Sequence, residues 1–482
     1  MLHLITITLY LFLLIGIGLK KTSKVQTQED FAVAGRGLSP WILVGTMLAT
    51  WIGTGSILGN AGKAYQSGIA TVILPLGSVL GIILLTQIAE KARNFNKFTV
   101  PEIIGERYGN TARVLAVIAL VMAYMVIVSY QYNAGGAVLY SVLQNEAGDP
   151  LISLQLATIV AALFIVAYTA MAGLLSVAYT DVANGVIIIA SFVIALPILY
   201  FKAGGISGMS TSFAAMGKES HMQLFGVFST MDLINFCLPP FLLVLGDANM
   251  YQRFFASKDG ASAKTASRYL VPAVLVAELM IIVGAWMSSS LIPDAANGRH
   301  VLIYAASDLL PPILGAVMLT TIVGIIISTA DSYLLVPATT LMRDIYLKYV
   351  NPNASEKSIV FLSRVLVLTL GFIAYLVSIG FAASATFFEK SLYAYTIYGA
   401  AITPALVAAF FWKGATKWGA ILSIISGTVM TLIWKELPQL FVFLPESIRS
   451  GTDEVLPAIT VSVFFLVVGS LLTKSSATKE RL

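Results

Sequence analysis

The chain has 482 residues, of which 58% are hydrophobic and only 11% are charged, and its mean hydropathy is +0.87. This composition is typical of an integral membrane protein and excludes a soluble one. The single cysteine, Cys237, excludes a disulfide framework within the chain and a cysteine metal cage.

Long apolar runs predict an all-α membrane protein with about thirteen transmembrane helices. The first run is read as a retained helix, because no basic segment precedes it and Lys-Lys-Thr-Ser-Lys follows it. The predicted spans lie near residues 2–20, 41–66, 69–90, 114–143, 151–172, 176–201, 231–252, 268–292, 309–342, 365–382, 388–412, 417–435 and 455–473.

The loops between these spans carry an asymmetric distribution of basic residues. If the N-terminus is outside, most of the 29 Lys and Arg residues fall on the inner side. The positive-inside rule therefore predicts a multi-pass protein of the cytoplasmic (inner) membrane, with its C-terminus in the cytoplasm. The net charge of +5 follows mainly from this topology and indicates no nucleic-acid partner.

The second span is rich in glycine, which makes a continuous helix unfavourable between Ile52 and Gly55. A break there frees the carbonyl groups of Ala49 and Ile52, which then need a partner within the membrane. A bound cation is one such partner. The alternative is close helix packing, since Gly55 and Gly59 form a Gly-x-x-x-Gly pattern.

Three further polar residues stand within or beside the early spans. Gln131 in the fourth span is costly in lipid and is expected to face the protein interior. Asp181 follows the fifth span and is interpreted either as a solvated acid at a helix end or as a relay to the cytoplasm. Lys63 either attracts an anion or extends to the outer interface.

The seventh span contains Pro239 and Pro240, which remove two backbone donors and predict a second break. The two interrupted spans are five apart, which indicates two inverted five-helix repeats with the solute at the breaks. The predicted divisions are 1–40 for the first helix and loop, 41–204 and 205–415 for the repeats, and 416–482 for two peripheral helices and a short tail.

The ninth span carries four oxygen-bearing side chains within one short stretch: Ser328, Thr329, Asp331 and Ser332. Residues three and four apart share a helix face, so Ser328, Asp331 and Ser332 are expected to point one way. Ile325 lies one turn earlier on the same stripe. Hydroxyl, carboxylate and carbonyl oxygens together suit a small cation. The alternative is that the hydroxyl residues only allow close helix packing.

Six motifs stand in order along the chain. They are D-F-A-V-A-G-R-G-L-S-P-W, T-V-P-E-I-I-G-E-R-Y, G-L-L-S-V-A-Y-T-D, M-Y-Q-R-F-F-A-S-K-D, S-T-A-D-S and Y-G-A-A-I-T-P with a following F-W-K. Together they resemble the motifs of the sodium:solute symporter family, which includes bacterial sodium/proline, sodium/galactose and sialic acid symporters and the animal choline transporter. The resemblance covers nearly the whole chain and implies a LeuT-like fold of thirteen helices with inverted repeats.

The resemblance also implies the positions of the coupling ion, Na⁺. The family's shared sodium site corresponds here to Ala49, Ile52, Ile325, Ser328 and Thr329. A second site, similar to one in some family members, corresponds to Asp181, Asp331 and Ser332, with Ser328 shared. Asp331 stands there in place of a hydroxyl residue.

For the solute, Trp51 is similar in position to a tryptophan that faces the quaternary amine in the choline transporter, by a cation–π contact. Asp247 stands where that transporter has an aromatic residue. Gln131 and Tyr398 complete the expected solute-binding set. The solute class stays open among amino acids, amines, carboxylates and similar small polar molecules.

We therefore expect a sodium-coupled secondary active symporter that imports a small polar organic solute by alternating access. The alternatives are a sodium-responsive sensor and a uniporter or leak channel on the same fold. No nucleophile–base pair or metal cage appears in the loops, so an enzyme is not expected. The expected partners are the solute, sodium and the lipid bilayer, with no nucleic acid and no obligate protein partner.

Overall fold

The computed structural model describes residues 2–22, 25–145, 149–293, 298, 300–381 and 386–474. Helices make up most of these ranges, which contain two isolated β-bridges and no strand. The basic residues Lys24, Arg299, Lys479 and Arg481, which contributed to the predicted orientation, lie outside the described residues.

Each of the predicted spans corresponds to a helix, but the count of thirteen is not confirmed. By length and apolar composition, eleven helices of the described part are able to cross a membrane, or twelve if the bent pair of the second span is one crossing. The first helix has an apolar stretch of only Leu2–Ile17. In chain order the helices are Leu2–Thr22; Pro40–Trp51 with Gly55–Ile73; Pro75–Asn94; Asn110–Val142; Leu154–Met171; Gly173–Lys202; Thr230–Gly246 with Ala248–Ala256; Gly260–Ser289; Pro312–Thr340, continuing to Val350; Glu356–Phe381; Phe387–Phe411; Lys417–Glu436; and Val455–Leu472.

The second span is broken where its glycines predicted. Its first half ends at Trp51, Ile52 is extended (φ −73°, ψ 93°), and the second half leaves at an angle of 51°. Gly53 lies so close to the ninth span that an added Cβ would be 2.9 Å from the side chain of Thr329. A Cβ added at Gly55 would likewise be only 2.6 Å from the hydroxyl oxygen of Tyr395. These glycines therefore permit both the break and the close approach of two other spans.

The seventh span is also broken, but the prediction that its prolines cause the break is wrong. Pro239 and Pro240 lie inside the continuous helix Thr230–Gly246, and the break comes at Asp247 (φ −59°, ψ 114°). The Asp247 carboxylate accepts a hydrogen bond from the Asn249 amide and so caps the helix that begins at Ala248. A helix packed among others tolerates the loss of the two backbone donors that the prolines lack. The Asp247 cap, in contrast, marks the start of a new helix.

The ninth span forms the centre of the molecule. Every residue from Thr321 to Thr340 is buried, so the helix is covered on all sides by other helices. Its oxygen-bearing stretch therefore lies in the protein interior and faces neighbouring spans. The last helix, Val455–Leu472, is peripheral, with most of its residues at least partly exposed.

Spans five and six are separated by one glycine. Gly173 has φ +64°, a conformation that other residues rarely adopt, and it packs against Phe31 of a short helix that precedes the second span. This turn directs the sixth span back along the second, which brings Asp181 to the interior. The division into repeats at 41–204 and 205–415 stays a prediction.

Candidate functional site

Two hydroxyl groups of the ninth span lie against the broken second span. Ser328 Oγ is 3.3 Å from the carbonyl oxygen of Ala49, and Thr329 Oγ1 is 3.5 Å and 3.4 Å from the carbonyl oxygens of Ala49 and Ile52. All four residues are buried. Ile325 lies one turn before Thr329 on the same helix and is also buried. The structure thus gathers the five residues that the resemblance implied, four of them in direct contact.

These two hydroxyl groups differ from many others in the membrane helices. Thr320, Thr321 and Ser288 each donate to the carbonyl group four residues earlier in their own helix, at 2.8 Å. That internal bond is the usual arrangement for Ser and Thr in membrane helices. Ser328 and Thr329 instead point across to another span, which leaves their oxygens available to a shared ligand.

The oxygen spacing suits a small cation. Oxygens that coordinate one ion at about 2.4 Å, the distance found for calcium, lie about 3.4 Å apart when they are at right angles. The measured separations of 3.3–3.5 Å agree with that value. The four ligands would be the carbonyl oxygens of Ala49 and Ile52 and the hydroxyl oxygens of Ser328 and Thr329. All four are neutral and buried, and such a set suits a monovalent hard cation.

Asp181 is fully buried beside this group, which excludes the interpretation of a solvated acid. One carboxylate oxygen accepts from Ser328 Oγ at 2.5 Å and the other from Thr46 Oγ1 at 2.5 Å. Asp181 is therefore linked through Ser328 to the Ala49 carbonyl. Asp181, Asp331 and Ser332 were assigned to the second site only. Among the described hydrogen bonds of these three residues, only those of Asp181 reach Ser328.

Arg253 lies where the second cation site was predicted, and sequence reasoning did not identify it. Its guanidinium is fully buried, 3.8 Å from the Asp181 carboxylate, and donates to Ser332 Oγ at 2.6 Å. Asp331 accepts a hydrogen bond from Thr169 of the fifth span. Ser328 and Ser332 thus both contact the second span, at Ala49 and Thr50, as the predicted common face requires, whereas Asp331 bonds to the fifth span instead. Arg253 could have been recognised in the sequence as a basic residue in the part of the seventh span that follows its break.

Two of the predicted solute-binding residues lie beside the break in the second span. Trp51 is buried and stacks on Tyr395, with ring centroids 6.2 Å apart. Gln131 accepts a hydrogen bond from the Thr54 hydroxyl. Its amide nitrogen is buried and has no hydrogen-bond partner among the described residues. Both residues therefore face the region where a solute is expected.

The other two, Asp247 and Tyr398, hold the break of the seventh span. Asp247 accepts hydrogen bonds from the hydroxyl groups of Tyr124 and Tyr333 as well as from the Asn249 amide. The Tyr398 hydroxyl donates to the Gly246 carbonyl at 2.8 Å and accepts from the Ala248 amide at 3.1 Å. Both side chains are thus committed to the backbone geometry of the break.

A small cavity opens beside Trp51, next to the second half of the broken span. It has a volume of about 30 Å³ and is lined by both apolar and polar side chains, including Trp51, Ser56, Asn60, Phe236, Glu278, Phe388 and Tyr395. Glu278 belongs to the eighth span and was not identified from the sequence. The available signal was a single acid in the apolar run Ala273–Gly284.

Comparison with known proteins identifies the family of this chain. The sequence profile of the sodium:solute symporter family matches residues 31–427, which is most of the chain. This chain belongs to the sodium:solute symporter family. Membership makes it a multi-pass membrane transporter and not an enzyme, and sodium is the coupling ion of the family.

Curated relatives of this symporter-family chain include proline transporters. The osmoregulated proline transporter of Bacillus subtilis is 25% identical, over 98% of this chain and 95% of its own length. The sodium/proline symporter of Escherichia coli is 24% identical, over 99% and 95%.

Solved structures show the same fold. A substrate-bound, outward-open sodium-coupled sialic acid symporter superposes with a TM-score of 0.80 at 16% identity, over 98% of both chains. A closed nucleobase-cation-symport-1 family transporter gives a TM-score of 0.59 at 12% identity, over 94% of this chain and 97% of its own. These likenesses confirm the LeuT-like fold.

Proposed function

We propose that this chain is a sodium-coupled symporter that imports a small polar organic solute by alternating access. The observation that carries the proposal is the placement of the Ser328 and Thr329 hydroxyls against the freed carbonyls of Ala49 and Ile52. A sodium ion bound there, with Ile325 as a further backbone ligand, would join the broken helix to the ninth span. Ion binding would then stabilise the geometry of the break.

The solute is proposed to bind on the outer side of that break, next to Trp51 and Gln131. The cavity beside Trp51 supports this placement, and so does the Gln131 amide nitrogen without a described partner. Asp247 and Tyr398 would shape the site indirectly, because they hold the second break. Proline-like molecules are the first solutes to test, since curated relatives are proline transporters.

A second sodium ion at Asp181, Asp331 and Ser332 receives less support. The Arg253 guanidinium already supplies a positive charge beside Asp181 and uses the Ser332 hydroxyl as its acceptor. We therefore propose one sodium ion per cycle, with the Arg253–Asp181 pair in place of a second. The orientation, with the N-terminus outside and the C-terminus in the cytoplasm, is likewise a proposal from the distribution of basic residues.

The decisive experiment is uptake into proteoliposomes with an imposed sodium gradient. L-Proline, choline, D-galactose and propionate would be tested as radiolabelled solutes, each in sodium and in potassium. The proposal expects uptake of at least one solute in sodium, accompanied by inward positive current unless that solute is the propionate anion, whose charge balances that of one sodium ion. Equal uptake in potassium would identify a uniporter or channel, and sodium binding with no uptake of any solute would favour the sensor.

A further inference from the structure

Glu278 is a buried carboxylate without a basic partner. Its side chain lies in the eighth span, is 2% exposed, and takes part in none of the ion pairs between described residues. Its two oxygens accept hydrogen bonds from Ser56 Oγ at 2.6 Å and Asn60 Nδ2 at 3.0 Å. These are neutral donors on the outer half of the second span. They satisfy hydrogen bonds of the carboxylate and leave its charge uncompensated.

The surroundings of Glu278 are aromatic. Trp51 and Tyr395 stack on one another, and Phe236 and Phe388 meet edge to face with ring centroids 5.2 Å apart. All four rings line the cavity that also contains Glu278. Aromatic faces attract organic cations, and they do so more strongly in a desolvated site.

We propose that Glu278 binds the protonated amine of the transported solute, so that this symporter selects solutes bearing an ammonium group. A carboxylate and aromatic rings together match an ammonium group, because the first pairs with its charge and the second with its polarised C–H or N–H groups. This inference rests on the proposed function, since it assigns the solute class of the same site.

The same features distinguish this site from the sodium site. Ser56 and Asn60 direct O–H and N–H groups at Glu278, and most of the remaining cavity lining is aromatic or aliphatic. Sodium would require several oxygens with free lone pairs. Lys63 contacts the rings of Phe236 and Phe388, at 4.6 Å and 5.8 Å from their centroids, and makes no ion pair with Glu278.

The cavity as it stands has room for about one or two water molecules. An organic solute therefore needs the lining to separate. Glu278 bridges the eighth span to the outer half of the broken second span through Ser56 and Asn60. When those helices part, the hydrogen bonds to Glu278 are replaced by bonds to the incoming ammonium group.

The test uses the purified, full-length protein in sodium, with binding measured by scintillation proximity and by thermal stabilisation. L-Proline, choline and putrescine are the amine-bearing probes, and D-galactose and propionate are the probes without an amine. Each amine that binds is then compared with its nearest neutral isostere, for example dimethylbutanol for choline. In the unchanged protein the amine is expected to bind at least about tenfold more tightly than the isostere.

In Glu278→Gln, which keeps the shape and the acceptor oxygen, this preference should fall to about twofold or less, while Glu278→Asp keeps part of it. Glu219→Gln, at an exposed outer position, is the matched control and should change nothing. Binding of galactose or propionate alone, no binding of any amine, or an undiminished preference in Glu278→Gln would overturn the inference.

Sodium-dependent stabilisation is measured on the same samples and separates this inference from the proposed function. If sodium stabilises the protein in Glu278→Gln as in the unchanged chain, but amines are not preferred, only the assignment of Glu278 fails. If sodium has no greater effect than potassium on the unchanged chain, the symport proposal itself fails, whatever the amines do.

Discussion

At the scale of single residues, the direction of a hydroxyl group separates packing from ion binding. Many Ser and Thr side chains of these spans bond to their own helix, as Thr321 and Ser288 do. Ser328 and Thr329 reach across to carbonyl groups that the helix break has freed. Their oxygens thus belong to an interface between two elements, which a bound cation would link.

Ser328→Ala and Thr329→Ala each remove one oxygen from the proposed five while leaving the carbonyl groups in place. We expect the sodium concentration for half-maximal thermal stabilisation to rise about tenfold or more, since a lost charge-assisted contact is worth about 1.5–3 kcal/mol. Thr320→Ala removes a hydroxyl from the same helix and serves as the control. Unchanged sodium stabilisation in both site variants would refute the assignment.

The buried Arg253–Asp181 pair permits a second test at this scale. Removal of one member leaves a buried charge, so Arg253→Gln is expected to destabilise the protein by about 3–5 kcal/mol. The double variant with Asp181→Asn should recover part of that loss, with a coupling of about 1–3 kcal/mol in denaturant unfolding. The partly exposed surface pair of Lys264 and Glu90 gives a control of at most about 1 kcal/mol. Additive losses at Arg253 and Asp181 would mean that the two charges do not interact.

At the scale of elements, the two broken spans are held by different means. Glycines allow the second span to bend where it crosses the ninth, and neighbouring side chains occupy the space that a Cβ would fill. In the seventh span, an aspartate cap and a tyrosine from the eleventh span bridge the break. The prolines of the seventh span lie about two turns before the break and take no part in it.

This difference makes Tyr398 more important than the prolines for the seventh span. Tyr398→Phe removes both hydrogen bonds across the break and is expected to cost about 1–3 kcal/mol of unfolding free energy, with weaker solute binding. Pro239→Ala, which lies outside the lining of the cavity beside Trp51, restores one backbone donor and should leave transport unchanged. Loss of transport in Pro239→Ala together with a neutral Tyr398→Phe would show that the prolines set the break after all. Tyr269→Phe, on an exposed ring, is the control.

At the scale of the whole molecule, the proposed sodium and solute sites share the broken second span. Ala49 and Ile52 face the ninth span, while Trp51 and Ser56 line the cavity proposed for the solute. An ion that fixes the break therefore also fixes one wall of the solute site. By thermodynamic linkage, solute must then tighten sodium binding by the same factor by which sodium tightens solute binding.

We expect this reciprocal factor to be about 5- to 150-fold in binding measurements on the purified protein. One sodium ion moving down about 100 mV supplies ~2.3 kcal/mol. A tenfold gradient adds ~1.4 kcal/mol, so the two terms sustain accumulation of several hundred-fold for an electroneutral solute. Thr320→Ala is again the control. A sodium affinity that is indifferent to saturating solute would show that the second and ninth spans are not the coupling element.

The amino-acid sequence by itself determined the helices and the break of the second span, and it predicted which oxygen-bearing residues of the second and ninth spans meet there. These features follow from apolar length, glycine content and residue order, which act locally along the chain. The break of the seventh span, the separation of Asp331 from Ser332, and the places of Arg253 and Glu278 were decided by tertiary structure. Each depends on which side chain of a distant span supplies the cap, the countercharge or the donor, and helix periodicity contains no information about that partner.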